Sequence, residues 1–252
     1  MVTIYHPVGN KRISFIKKCT KILSYLILLI LSFILKINRN KNEIISSTSF
    51  YAPWKEDKNF CSFYEKIKNL TLLDTKRLYT LWYLSRDLKD INANILDIGC
   101  MQGGAGFLMS KVNNKGFTYL FDTFEGFLEE EKFHKKKHFV YKNIETVRTN
   151  IKKLRLKNTK VYRCKFPSKL NSSFNKKKFK LCHLDVNTYK STQKSFEFIK
   201  NKIIKGGTIV FDDYGIYGAD SIKKFIDKIS RKNIRDFSFI FNFMGQCILV
   251  KK

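Results

Sequence analysis

The chain has 252 residues, enough for one α/β domain with a full core and an accessory segment but too few for two large domains. Its 49 Lys and Arg against 21 Asp and Glu give a formal charge of +28, which invites a nucleic-acid partner. The excess is spread along the chain, and where it is densest, 18 basic residues against two Glu over residues 131–180, no zinc-finger, RRM or KH pattern accompanies it. A solvated basic face is therefore expected, with a polyanionic glycan or a lipid surface ahead of nucleic acid. The six cysteines form no CxxC pair, and Cys182 and Cys247 fall in apolar runs, which argues against a disulfide frame or zinc site and for reduced thiols in a cytoplasmic fold.

Residues 1–45 form a basic and hydrophobic segment. A run of 14 uncharged residues, 22–35, follows Lys11, Arg12, Lys17, Lys18 and Lys21. As a helix it would cover about 21 Å, against about 30 Å for a hydrocarbon core, so it is short for a span. No small-residue cleavage site follows it, as a signal peptide would require. The expectation is a membrane-surface anchor within residues 11–41 that leaves the domain cytosolic; a helix packing on protein is the alternative. Residues 42–49 read as a linker.

Residues 46–93 are expected to be a helical lid region, with Tyr51, Trp54 and Phe60 available to close over a site. Its second helix, about 73–88, carries Leu78, Leu81, Trp82 and Ser85 at helical spacing, with Asp74 placed to cap it. From residue 94 the pattern changes. A short apolar strand, 95–98, runs into Gly99 and the turn Cys100-Met101-Gln102-Gly103-Gly104-Ala105-Gly106, then a helix. Strand, glycine-rich turn and helix bring backbone close to a nucleotide cofactor, although the spacing is not GxGxxG and a ligand-free βα turn would read the same. The next strand, 117–121, ends in Asp122, 25 positions after Asp97, where such folds hold ribose hydroxyls.

A helix near 141–154 and a strand at 160–163 lead to the stretch from Phe179 to Tyr214, which reads as strand, helix, strand. Its helix carries Phe196, Ile199 and Ile203 on one face, with Gly206 or Gly207 suited to closing it. Parallel strands joined by a helix bring their carboxyl ends to one edge, so Asp185, Asp212 and Asp213 converge. Three such carboxylates suit a hard divalent cation such as Mg²⁺; helix and strand capping is the bland alternative. A helix near 220–229 and two strands, 237–243 and 246–250, close the chain as an antiparallel hairpin with Met244 and Gly245 between them. A mostly parallel sheet ending in such a hairpin is the Rossmann-like arrangement of class I methyltransferases, here with seven strands and a hydrophobic helix ahead of them.

FYAPWKEDKNF, TLLDTKRLYTLW, ILDIGCMQGG, FDTFEGF, LCHLDVNTYKST, GGTIVFDDYG and GQCILVKK together resemble the macrocin O-methyltransferase family over roughly residues 50–252. The resemblance implies transfer of a methyl group from S-adenosylmethionine to a sugar hydroxyl with Mg²⁺, by a methyltransferase domain at residues 94–252. It implies metal binding by Asp185, Asp212 and Asp213, and cofactor binding by Asp97, Gly99, Gly103 and Asp122. Where the family usually reads LDVDLY, this chain has Asn187 and Thr188. Asp185 is the best-placed general base and His183, two residues earlier on the same strand face, the second candidate. The alternatives are a nucleotide-binding protein of NAD type, which would want GxGxxG, and an inactive membrane-surface adaptor on a methyltransferase fold. The acceptor sugar and the existence of a homo-oligomer stay open.

Overall fold

The computed structural model of the chain describes residues 11–34 and 51–252, apart from 128–129, 131–134, 136, 138, 142, 169 and 217. The chain divides into two compact units, Met1–Ala52 and Pro53–Lys252. In the first, α1 (Lys11–Ile34) is one helix of 24 residues that takes in 22–34 of the uncharged run. Ile22, Leu23, Ile27, Ile30 and Phe33 are exposed on it. Among the described residues no helix is long and apolar enough to cross a membrane. The expected linker at 42–49 lies outside the described residues.

The second unit opens with α2 (Pro53–Glu56), α3 (Lys58–Ile67), a 3₁₀ turn at Lys68–Leu70 and α4 (Thr75–Asp87). There follow β1 (Asn94–Ile98), α5 (Gly104–Val112), β2 (Thr118–Asp122), α6 (Ile144–Lys153), β3 (Thr159–Arg163) and α7 (Ser172–Asn175). The chain closes with β4 (Phe179–Leu184), α8 (Tyr189–Ile199), β5 (Ile203–Phe211), α9 (Asp220–Lys232), β6 (Phe237–Phe241) and β7 (Cys247–Lys251). The seven strands form one sheet in the order β3-β2-β1-β4-β5-β7-β6. β1 to β5 run parallel, and β7 is antiparallel to both β5 and β6.

The central strands are apolar on both faces because helices cover both. Ile95, Leu181 and Val210 point into one cluster with Phe60, Leu78, Trp82, Phe107 and Leu108 from α3, α4 and α5. Their neighbours Leu96, Ile98, Cys182, Leu184, Ile209 and Phe211 point into the other, with Phe196, Ile199, Phe225 and Ile226 from α8 and α9. The two-residue alternation of each strand thus divides its side chains between two cores. Asp74 caps α4 as expected, accepting from the amides of Lys76 (2.9 Å) and Arg77 (3.1 Å). Phe60 does not line an opening: it is buried against Tyr64, Tyr79 and Trp82.

Two boundaries differ from expectation. α8 stops at Ile199, and Gly206 and Gly207 lie inside β5, not at the end of the helix. Gly206, at φ +74°, lies in a break in the β4–β5 register between the Phe179–Ile203 and Leu181–Thr208 pairs, so Ile203 heads a strand instead of closing a helix face. The closing hairpin has a five-residue connection, 242–246, not a two-residue turn. Asn242 organises it through its side-chain oxygen, which accepts from the amides of Met244 (2.9 Å) and Gln246 (3.1 Å).

At the lower edge of the sheet, Lys180 on β4 is fully buried. Its ammonium donates to the carbonyls of Lys89 (3.1 Å), Ile91 (2.9 Å) and Lys115 (2.9 Å), one for each proton. These carbonyls belong to the α4–β1 and α5–β2 connections, so one side chain ties both loops to the central strand. Burial lowers the Lys180 pKa to about 8, and the group stays charged at neutral pH. Lys180→Met takes the charged donor from all three. The Lys89 and Ile91 carbonyls keep the amides of Lys115 (3.3 Å) and Ala93 (2.8 Å), whereas the Lys115 carbonyl loses its donor. The unfolding free energy should fall by about 1–3 kcal/mol, read as a reduced urea midpoint at unchanged slope.

Candidate active site

A cavity of about 350 Å³ opens at the carboxyl ends of the parallel strands. Its floor is formed by Ile98 at the end of β1 with Gly99 and Cys100 after it, Asp122 at the end of β2, His183 near the end of β4 and Asp185 after it; Asp212 and Asp213 follow β5. Thr71, Leu72, Leu73 and Arg77 close one side. An opening at this edge, beside a glycine turn, is where open α/β sheets take ligands.

The glycine turn is fixed by close approach. Gly99 has φ +88°, and a Cβ there would sit 1.8 Å from the carbonyl oxygen of Asp185. The chains after β1 and β4 therefore pass at backbone contact, and no side chain fits between them. Gly103, at φ +92°, precedes α5, and a Cβ on it would strike the Phe107 ring at 2.5 Å. Asp122 holds the turn from the next strand: its carboxylate accepts from the Met101 amide (2.7 Å) and the Phe124 amide (2.7 Å). Burial raises the Asp122 pKa, and those two amides oppose the rise.

Behind the turn, Asp97 and His183 are register partners on β1 and β4 and so share a face. Both are buried, and His183 Nδ1 lies 2.8 Å from Asp97 Oδ1. Burial alone would lower the imidazole pKa, but the hydrogen bond and charge of Asp97, with the charges of Asp212 and Asp185, lift it to about 9. At neutral pH His183 is an imidazolium and Nδ1 donates to Asp97. Its Nε2 has no hydrogen-bond partner among the described residues and lies 4.0 Å from Asp212 Oδ1. Asp97 and Gly103, both expected at the cofactor, do not line the cavity: Asp97 serves the buried pair and Gly103 the start of α5.

The expected triplet assembles. Asp185, Asp212 and Asp213 each present a carboxylate oxygen within 4.8 Å of the others. Asp212 directly follows the last residue of β5, and Asp213 takes φ +61°, a conformation that Asp and Asn tolerate better than other non-glycine residues. In a continued strand two neighbouring side chains would face opposite ways; the turn at Asp213 sends both to the cavity. Asn187, at φ +54°, makes a similar turn after β4 and lines the same space. Burial and the charges of Asp212 and Asp213 push the Asp185 pKa well above the usual carboxylate range. Asp212 is raised as well, by burial, with His183 and Arg77 opposing.

Two residues join the triplet that no local pattern announced. Gln246, from the β6–β7 connection, donates to Asp212 Oδ1 at 3.0 Å. Arg77, in the first turn of α4, donates through Nη1 to Asp212 Oδ2 and to Asp213 Oδ1 (3.2 Å), and through Nε to Asp74 Oδ2 (2.9 Å). With all four ionised, Asp97, Asp185, Asp212 and Asp213 face, among the described residues, the two cations His183 and Arg77, which leaves two negative charges unmatched. Oxygen donors, that charge deficit and the elevated Asp185 together fit a hard divalent ion.

Strand order, antiparallel final strand, glycine turn after β1 and an acidic residue ending β2 define a class I methyltransferase. The profile of the macrocin-O-methyltransferase (TylF) family matches residues 66–236, more than half of the chain. The chain belongs to that family and is an S-adenosylmethionine-dependent O-methyltransferase. Among solved structures, the O-methyltransferase NovP is 18% identical, covering 73% of this chain and 82% of its own, with a TM-score of 0.63. The calicheamicin methyltransferase CalS11 is 11% identical over 81% of this chain and 99% of its own, TM-score 0.60. An O-methyltransferase from Bacillus cereus, solved with SAH, is 18% identical over 75% and 91%, TM-score 0.53. At these identities the likeness concerns the fold. No curated protein sequence matches the chain.

If His183 and Asp97 are a charge pair, replacing one strands the other. His183→Leu and Asp97→Leu should each cost about 3–5 kcal/mol of stability, and the double variant clearly less than their sum, in a denaturant double-mutant cycle.

Proposed function

We propose that this enzyme methylates a hydroxyl of a sugar-containing small molecule or glycan, with a divalent cation, Mg²⁺, held by Asp185, Asp212 and Asp213. The observation that carries the reading is the acidic triplet facing the same cavity as the Gly99 turn and Asp122. When bound, the ion would lower the pKa of an acceptor hydroxyl. Asp122 keeps acceptor capacity for ribose hydroxyls beyond its two amide bonds, and Gly99 lets the cofactor approach the backbone. Asp185 takes the hydroxyl proton as the oxygen attacks. The O–CH₃ bond forms as the S–CH₃ bond breaks, and the sulfonium becomes a neutral thioether. Because that step quenches charge, alignment of oxygen, methyl carbon and sulfur is the protein's main contribution. Leu72, Leu73 and Thr71 exclude water from one side.

Membership of the macrocin-O-methyltransferase family supports a glycosylated acceptor, and Asn187 in place of a carboxylate keeps the ligand set at three acidic residues. The test is methyl transfer from labelled S-adenosylmethionine to a panel of glycosides and matching aglycones. Asp185→Asn and Asp212→Asn should each cut turnover at least about a hundredfold while thermal stabilisation by S-adenosylhomocysteine persists. Full turnover in both, unaffected by EDTA, would remove the ion and the base from the reading. Stabilisation by NAD in preference to S-adenosylhomocysteine would overturn it altogether.

For the first unit we infer a lipid surface as the partner of α1. Its exposed Ile22, Leu23, Ile27, Ile30 and Phe33 form a large apolar area, and the sequence before residue 22 is rich in Lys and Arg. A domain using S-adenosylmethionine and reduced thiols would then lie on the cytosolic side. The full chain should float with anionic vesicles, and a chain starting at Ser46 should not, while both keep equal affinity for S-adenosylhomocysteine. Equal flotation of the two would refute the anchor.

A further inference from the structure

Arg77 is held from both ends. Asp74 accepts from its Nε (2.9 Å) and simultaneously caps α4, while Asp212 and Asp213 accept from its Nη1. The side chain is 15% exposed, below the ion-paired Lys251 (23%), Lys200 (30%) and Arg148 (51%). Its helix is anchored independently: Leu78, Leu81, Trp82 and Ser85 are buried, and Trp82 Nε1 donates to Asp57 at 2.9 Å. The guanidinium is thus a fixed part of the acidic edge. It is charged throughout the range in which the protein folds, so it cannot withdraw its charge by losing a proton.

We propose that Arg77 is the built-in counter-cation of the Asp185–Asp212–Asp213 site and sets the charge that an added ion must supply. Three carboxylates alone would favour the most highly charged ion available. One permanent positive charge beside two of them reduces the demand to a divalent ion and weakens the attraction for every cation. Asp74 is the positioning residue behind it, since it holds Nε without touching the triplet. The inference rests on the ion reading above and deepens it: the specificity of the site for ion charge comes from α4, outside the strand ends that supply the ligands.

The experiment is calorimetric titration of the full chain with Mn²⁺ and with Tb³⁺, without cofactor, for the wild type, Arg77→Met, Arg77→Lys and Asp74→Ser. Coulomb repulsion scales with ion charge, so a gain of about tenfold in Mn²⁺ affinity on Arg77→Met implies roughly thirtyfold for Tb³⁺. Arg77→Lys keeps the charge and should stay within about threefold of wild type for both ions. Asp74→Ser keeps a capping oxygen but frees the guanidinium, and should fall between the two. Arg77→Met leaving both affinities unchanged, or weakening them, overturns the proposal while the ion site itself stands. Arg77→Lys behaving like Arg77→Met also overturns it, since charge would then not be the agent. If Arg77→Met does not fold, Asp74→Ser carries the test: wild-type affinities in that folded variant overturn the proposal. Failure of either ion to bind wild type and Asp185→Asn alike overturns both this inference and the ion reading, whereas stabilisation by S-adenosylhomocysteine would still report the cofactor site.

Discussion

Parallel strands deliver their carboxyl ends to one edge, and here that edge concentrates negative charge. Asp185, Asp212 and Asp213 meet there, with Asp97 buried one layer behind. Uncompensated, such a group would open the sheet or bind protons, because like charges this close resist joint ionisation. Much of the surrounding structure answers that constraint. His183 is kept charged between Asp97 and Asp212, Gln246 reaches in from the last hairpin, and Arg77 reaches in from α4. Elements distant in sequence are drawn to the same few carboxylate oxygens.

The same edge has to admit ligands, so compensation and access compete for space. Backbone is thinned to glycine where the chain leaves β1 beside β4, since no side chain fits between Gly99 and the Asp185 carbonyl. Left-handed residues at Asn187 and Asp213 turn the chain away as soon as the functional side chains have been presented. Such positions cost backbone free energy on the order of 1 kcal/mol each and persist where neighbouring structure holds them. The floor of the cavity is thus set by strand ends and their first following residues. The wall from Thr71 to Arg77 is set by helix packing.

Much of this was legible in the sequence. Strands covered on both faces read as short apolar runs, and an Asp after each run marks the edge, which is how Asp122, Asp185, Asp212 and Asp213 could be placed. Asp97 was legible as a strand residue but not as the partner of His183, because that depends on the register between β1 and β4. Gly206 and Gly207 misled because a glycine that ends a helix and one that interrupts a strand leave the same local trace. Arg77 was invisible for a stronger reason. Its partners Asp212 and Asp213 are 135 and 136 residues away, and in its own segment it reads as a surface residue in the first turn of an amphipathic helix.

The opposite edge of the sheet has its own buried cation, and its enclosure makes Lys180 a reporter. An amine whose pKa lies near 8 would react with acylating reagents faster than an ordinary lysine if water reached it, because more of it is unprotonated. Enclosed by three carbonyls it is silent. Modification of Lys180, followed by mass spectrometry against the many exposed lysines as internal standards, would therefore count the moments when the loops after α4 and α5 part from β4. That turns a structural clamp into a clock for local opening, at the end of the sheet away from the cavity.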